Sequence, residues 1–346
     1  MKGRGATINT DNPFSKQLYA AEHIEGLDEE FISDEKTEYL LEFPKKVVNK
    51  VLSTDIPIEY SLNPYQGCEH GCIYCYARNT HQYWGFSAGL DFERKILVKP
   101  DAPKLLEAAL NKKSWEVKPI SLSGNTDCYQ PAEKKFKITR GILEVLNRYR
   151  HPVGFITKNQ LILRDLDLLK ELAADNLVNV FVSITSLNED LRRKLEPRTA
   201  SAIRRLNVLE TLSKNNVPCG VMLAPIIPGI NSHEIPEILK AAANAGATNA
   251  GYQIVRLNGA IAEIFTNWIH EHYPDSADKV LNQISGMHDG NLNDSRFGKR
   301  MKGEGKMAES IKQLFTASKK KYMPLKNSFE YNLTAFKRPG QMEIRF

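Results

Sequence analysis

The 346-residue chain has few cysteines, five in all, and none after Cys219. That excludes a disulfide-stapled scaffold and fits a reducing compartment, so the expected location is the cytoplasm. There is no run of 18 apolar residues, which excludes an ordinary membrane-spanning helix and a membrane partner held by one. The opening stretch, residues 1–17, has no apolar core of the kind a secretory signal needs. No low-complexity segment occurs, and no internal repeat beyond an alternation of strand and helix patterns. With 42% hydrophobic and 25% charged residues, the remainder reads as a globular chain able to fill a core.

The formal charge of +6 is unevenly spread. Residues 296–326 carry ten Lys or Arg against two acids, an excess of eight, so the rest of the chain is slightly negative. Residues 22–42 lean the other way, with nine acids against one lysine. This asymmetry permits a nucleic-acid partner. It equally fits a solvated surface, or pairing of the two segments with each other.

Three of the five cysteines fall in one short loop, Cys68-Glu-His-Gly-Cys72-Ile-Tyr-Cys75. A cubane iron–sulfur cluster is normally held by four thiolates, so three leave one iron open for chemistry. Gly67 and Gly71 stand where so tight a loop must turn without a Cβ. Structural zinc is an alternative, with His70 or His81 as fourth ligand, although zinc sites usually pair two separated knuckles and no second Cys-x2-Cys exists. A disulfide would leave one of the three cysteines over.

The pattern around the loop predicts an α/β fold. Strands are expected at residues 118–123, 153–157, 177–185, 217–224 and 249–255, with a short one before Cys68. Helical patterns separate them: 136–149, a leucine face at 163, 166, 169 and 172, then 232–245 and 261–270. Ser186 to Glu189 reads as a capping box. About six β–α units result, fewer than the eight that close a full barrel, so the expectation is a partial (β/α)6 TIM-like barrel with an open side. It would span residues 58–275, between an N-terminal extension (1–57) and a basic C-terminal one (276–346). In the latter, Met307, Ile311, Leu314 and Phe315 share a helical face.

Functional side chains of such a fold belong at the strand C-termini. Ser123, Thr126 and Asp127 follow the second strand, and Asp127 could accept from a ligand ammonium or simply cap a turn. Lys158 ends the third strand, where it could face a carboxylate. Ser183 and Thr185 place two hydroxyls on one face of the fourth. Arg198 offers a carboxylate-binding fork, or pairs with its neighbour Glu196. Gln253 and Arg256 are weaker candidates on the sixth strand. Cys128, beside the expected site, is either a hydrogen-atom donor or an inert small side chain, the commoner fate of a free cysteine.

Cys-x3-Cys-x-aromatic-Cys, with Tyr74 as the aromatic, resembles the signature of the radical S-adenosylmethionine (SAM) superfamily. Asn63 to Ala77, Thr126 to Pro131, Thr157-Lys158, Glu196 to Arg198 and Ala224 to Gly229 extend the resemblance to its spore-photolyase-like branch. So do Gly3 to Ala6, Arg300 to Gly305 and the tail from Gln341. The resemblance implies a [4Fe–4S] cluster on Cys68, Cys72 and Cys75, and S-adenosylmethionine bound at its open iron. Cofactor contacts are implied for Tyr74, the turn from Ser123 to Asp127, Lys158 and Ser183. It also implies an external electron donor of the flavodoxin or ferredoxin kind. Spore photolyases use a cysteine in the C-terminal part of the chain as hydrogen donor, and this chain has none there, so the resemblance leaves the substrate open.

Overall fold

Short runs rich in Val, Ile and Phe, each followed by a helix, build the core of the computed structural model, which describes residues 4–14, 36–55, 58–324 and 329–340. Gly3, most of the acidic run, Lys326 and the tail from Gln341 lie outside the described residues. Ten strands are described: β1 (Glu38–Leu41), β2 (Val48–Lys50), β3 (Tyr60–Leu62), β4 (Tyr65–Gln66), β5 (Lys95–Val98), β6 (Ile120–Leu122), β7 (Val153–Thr157), β8 (Val178–Ser183), β9 (Cys219–Ile226) and β10 (Asn249–Ile254).

Seven of them form the main sheet in the order β10-β9-β8-β7-β6-β3-β2. β3 and β6 to β10 are mutually parallel, and β2 adds an antiparallel edge. Helices connect the strands after β6, and no ladder among the described residues joins β10 to β2. This is the partial six-unit barrel that the sequence pattern predicts. β1, β5 and β4 make a separate three-stranded sheet beside the cysteine loop. Val178, Val180 and Val182 share one face of β8 and are each 1% exposed or less, while Asn179 and Phe181 on the other face are partly exposed.

Two local expectations need correction. Asn188, not Ser186, caps the helix Glu189–Leu195, its side chain accepting from the N–H groups of Asp190 and Leu191. Ser186 is drawn away because buried Glu234 needs donors, and its hydroxyl gives one at 2.7 Å. In the last helix, Gly305–Tyr322, the buried stripe is Ala308, Ile311 and Phe315, while Met307 and Leu314 are exposed. The stripe is centred one position away from the expected one, toward helices Ile235–Asn244 and Ala277–Met287, against which it packs.

The C-terminal strap, residues 329–340, crosses the far end of the barrel. The N–H of Asn332 donates to Asn176 O (3.1 Å), that of Lys337 to Tyr149 O (3.0 Å), and Arg338 to Leu110 O (3.1 Å). A Cβ at Gly154 would stand 2.4 Å from the Tyr331 hydroxyl, so the bare strand is what lets the strap approach.

His151 is buried and neutral: its Nδ1 faces Pro152 O and its Nε2 accepts from Trp115 Nε1 at 3.2 Å. His81 is buried without a polar partner for either ring nitrogen. Burial lowers both from 6.5 to about 4. An unfolded chain binds these protons near pH 6.5 and the folded chain only near 4, so stability is present at neutral pH and lost as pH falls through that window. The expected slope is about 1.4 kcal/mol per pH unit for each histidine. Urea unfolding between pH 7 and 4 measures it, and His151→Asn should flatten the curve.

Candidate active site

The cysteine loop hangs between β4 and the helix Arg78–His81. Gly67 and Gly71 take φ of +78° and +68°, the left-handed turns a side chain would resist. The loop is pinned from beneath by one guanidinium. Arg78, fully buried, uses all five of its N–H groups: Nε to Cys72 O (2.9 Å), Nη1 to Ala88 O and Gly89 O, Nη2 to Gly71 O and Glu93 Oε1 (2.6 Å). Glu93, also fully buried, accepts in addition from the N–H groups of Gly5 (2.9 Å) and Ala6 (2.8 Å). A Cβ on Gly5 would fall 1.8 Å from Gly71 O, so the N-terminal segment lies directly under the loop.

Above the loop, at the C-terminal ends of the parallel strands, opens a cavity of about 310 Å3. Cys68, Cys72 and Cys75 all line it, together with Tyr74, Ser123, Thr126, Asp127, Lys158 and Ser183. The structure thus brings together residues from four separate chain segments that the sequence reading selected. All five cysteines are free, and burial pushes the Cys72 thiol up to about 12. No three His, Cys, Asp or Glu side chains among the described residues are grouped to hold a single metal ion. Both ring nitrogens of His70 already face partners, Nε2 at 3.1 Å from Asn159 Nδ2 and Nδ1 at 3.5 Å from Asp127 Oδ2.

Three of the selected residues stand apart from the cavity. Thr185 lies behind Tyr74 and donates to Glu196 Oε1 at 2.6 Å. Arg198 is on the outer side of the loop, 3.6 Å from Glu69 Oε1, and pairs with that residue rather than Glu196. Cys128 is fully buried in the main apolar core and does not line the cavity, so its position supports the inert reading. Its N–H donates to Ser123 Oγ (2.8 Å), which holds Ser123 at the unusual φ of +66°.

Asp127 is already engaged. Its carboxylate accepts from Tyr129 N (2.9 Å), Thr157 Oγ1 (2.9 Å) and Lys158 N (2.9 Å), beside His70. It therefore joins the turns after β6 and β7 to the cysteine loop, and has little capacity left for a ligand.

Sequence reading missed a second buried ion pair. Glu196, fully buried, accepts from Tyr74, Thr185 and Arg205, itself 1% exposed. Burial alone would raise Glu196, but Arg205 and Lys158 outweigh it and hold its carboxyl down at about 2. Burial likewise works against the Lys158 ammonium, and Glu196, Cys72 and Asp127 together outweigh it, raising its pKa. Lys158 Nζ lies 5.9 Å from the Tyr74 ring centroid. A signal for this pair was available: Arg205 occupies the apolar stripe of helix Ala202–Lys214, with Ala202, Leu209 and Leu212.

Removing one member of a buried pair leaves the other charge uncompensated, at a cost of about 3–5 kcal/mol. Glu93→Gln should lower unfolding stability by that amount in a urea titration. A loss under about 1 kcal/mol would mean that the pair does not anchor the loop.

The radical SAM superfamily model matches residues 62–242, which include the cysteine loop and most of the parallel sheet. An uncharacterised protein of Mycobacterium tuberculosis is 33% identical over 234 residues, 67% of this chain and 69% of that protein. One of Methanocaldococcus jannaschii is 28% identical over 243 residues, 70% of this chain and 86% of its own. Among solved structures, spore photoproduct lyase complexed with dinucleoside spore photoproduct aligns with a TM-score of 0.61 at 17% identity, covering 87% of this chain and 86% of that one. A variant of that lyase with bound AdoMet and the same lesion gives 0.59 at 16%, covering 83% and 79%. At such identity the likeness is one of fold. By its sequence this chain belongs to the radical SAM superfamily, enzymes that work with a [4Fe–4S] cluster and S-adenosylmethionine.

Proposed function

We propose that Cys68, Cys72 and Cys75 hold the cluster, and that the enzyme abstracts hydrogen from an organic substrate entering at the barrel mouth. The observation that carries this reading is the convergence of the three thiols on one cavity with Lys158, Ser123 and Ser183. Three closely spaced cysteines, with no second Cys-x2-Cys pair in the sequence, suit a multi-iron group better than zinc. A cluster held by Cys68, Cys72 and Cys75 would, when reduced, supply the electron for cleavage of S-adenosylmethionine to a 5′-deoxyadenosyl radical.

The chain's own part is binding, orientation and exclusion of water. Lys158 is the cation for the methionine carboxylate, kept charged by Glu196 behind it. Asp127 acts as a positioning residue, fixing the Lys158 backbone and His70 together. Tyr74 is held against Glu196 and so presents its ring at a fixed angle. Met222, Pro225, Ile254 and Val255 form an apolar wall that keeps water from a reactive intermediate. Electrons would come from an external flavodoxin- or ferredoxin-like donor.

Nucleic acid is one substrate class to test, because the fold matches a lyase solved with a dinucleoside lesion and the 296–326 stretch is basic. A peptide or small metabolite is the second, which the open side of the barrel admits equally well. Arg296, Lys299, Arg300 and Lys312 of that stretch are paired with Asp294, Glu304, Asp55 and Glu309, and only Asp294 and Asp55 come from outside it, so most of its excess charge stays unneutralised by these pairs. No helix among the described residues is long and apolar enough to cross a membrane.

Anaerobic reconstitution with iron and sulfide, reduction with dithionite and assay of 5′-deoxyadenosine test this assignment. Wild type should form deoxyadenosine, and Cys72→Ala should lose both the cubane signal in electron paramagnetic resonance and the product. Zinc in place of iron, or product formation by the alanine variant, would contradict it.

A further inference from the structure

Four consecutive residues at the end of β10, namely Gln253, Ile254, Val255 and Arg256, line the cavity. Gln253 and Ile254 are the last residues of β10, where a regular strand would turn them to opposite faces, and Val255 and Arg256 follow its end. The β10–β9 ladder shifts register between Tyr252 and Ile254, the kind of irregularity that re-aims side chains at a site. The strand end is then clasped by the segment that precedes the last helix. Ile254 N–H donates to Met301 O at 2.9 Å, and Gln253 Nε2 lies 3.2 Å from Met301 Sδ.

Two guanidiniums meet at this corner, and they differ. Arg300 donates to Asp55 Oδ2 and Ser53 Oγ, both at 2.7 Å, so its charge is matched. Arg256 makes no hydrogen bond or ion pair with any described residue, although it is only partly exposed and its neighbours include Asp55, Tyr76 and Arg300. The Tyr76 hydroxyl is committed elsewhere, to Gly124 O at 2.6 Å. Burial, and then Arg300, lower the Arg256 pKa, as expected for a cation short of a partner. The Arg256 nitrogens are not shut off from solvent, so an anion from outside can reach the unpaired guanidinium.

We propose that Arg256 forms an anion subsite at the mouth of the cavity, which binds a phosphate or carboxylate group of the substrate. Its planar fork suits bidentate contact with either group. β10 and β7 are separated by β9 and β8, so Arg256 and Lys158 stand three strand spacings apart, roughly 14 Å along the sheet. One cation thus serves the cofactor side and the other the substrate side. That this anion belongs to a substrate rests on the radical reading above, but the subsite itself does not need the cluster to be tested.

The test is a thermal-midpoint titration of the reconstituted full chain with inorganic phosphate, acetate and the dinucleotide thymidylyl-thymidine, at constant ionic strength. Wild type and the charge control Lys320→Gln, exposed on the last helix, should show a saturable rise with at least one of the three. Arg256→Gln should weaken that response by roughly tenfold or more, and Arg256→Lys should recover part of it. Preference for acetate assigns a carboxylate, preference for phosphate a phosphomonoester, and preference for the dinucleotide a phosphodiester. No saturable response to any probe, or the same response in wild type and Arg256→Gln, overturns the subsite. Visible absorption of the cluster, read in each variant, separates the two claims: a wild type that assembles no cluster sinks the radical reading and leaves the titration result standing.

Discussion

The structure depends on one buried ion pair, Arg78 with Glu93. Both side chains are fully excluded from solvent, which is affordable only because every donor of the guanidinium is used and the carboxylate is bound by two further N–H groups. Four of those bonds reach carbonyls of the cysteine loop or amides of the N-terminal segment. The loop must hold three thiols toward one cavity while turning twice through left-handed glycines, a conformation with few bonds of its own. The pair supplies from below what the loop cannot supply from within.

The same logic governs the cavity wall. Asp127 and Glu196 are carboxylates in protected positions, each surrounded by donors that leave little room for a ligand. They set the positions and charge states of the side chains that do face the cavity, Lys158 and Tyr74. The electrostatic result is a site with a protected cation at the third strand and a second, unmatched one at the sixth. Between them lies an apolar wall suited to radical chemistry, which tolerates little water.

Much of this was legible in the sequence. The Val- and Ile-rich runs followed by amphipathic helices foretold the parallel sheet, because strands alternating with helical periods are the pattern of successive β–α units. The cysteine spacing marked the site, and the rule that barrel chemistry sits at strand C-termini selected Ser123, Thr126, Asp127, Lys158 and Ser183, which the fold does bring to one cavity. What stayed hidden were long-range charge pairings. Arg78 and Glu93 are fifteen residues apart, and nothing local says that they meet. Arg198 and Glu196 illustrate the opposite error, since sequence neighbours looked like partners while the fold gives Glu196 to Arg205 and Arg198 to Glu69. The cap at Asn188 and the shifted stripe of the last helix were decided by tertiary demand, from Glu234 and from the packing helices.

The central claim is that three cysteines leave one iron open for S-adenosylmethionine. Electron–nuclear double resonance on the reduced, reconstituted protein, with cofactor carrying 15N in its amino group, measures that bond directly. The account predicts a 15N coupling to the cluster that appears with labelled cofactor. A cluster signal carrying no such coupling while the cofactor is bound would contradict it.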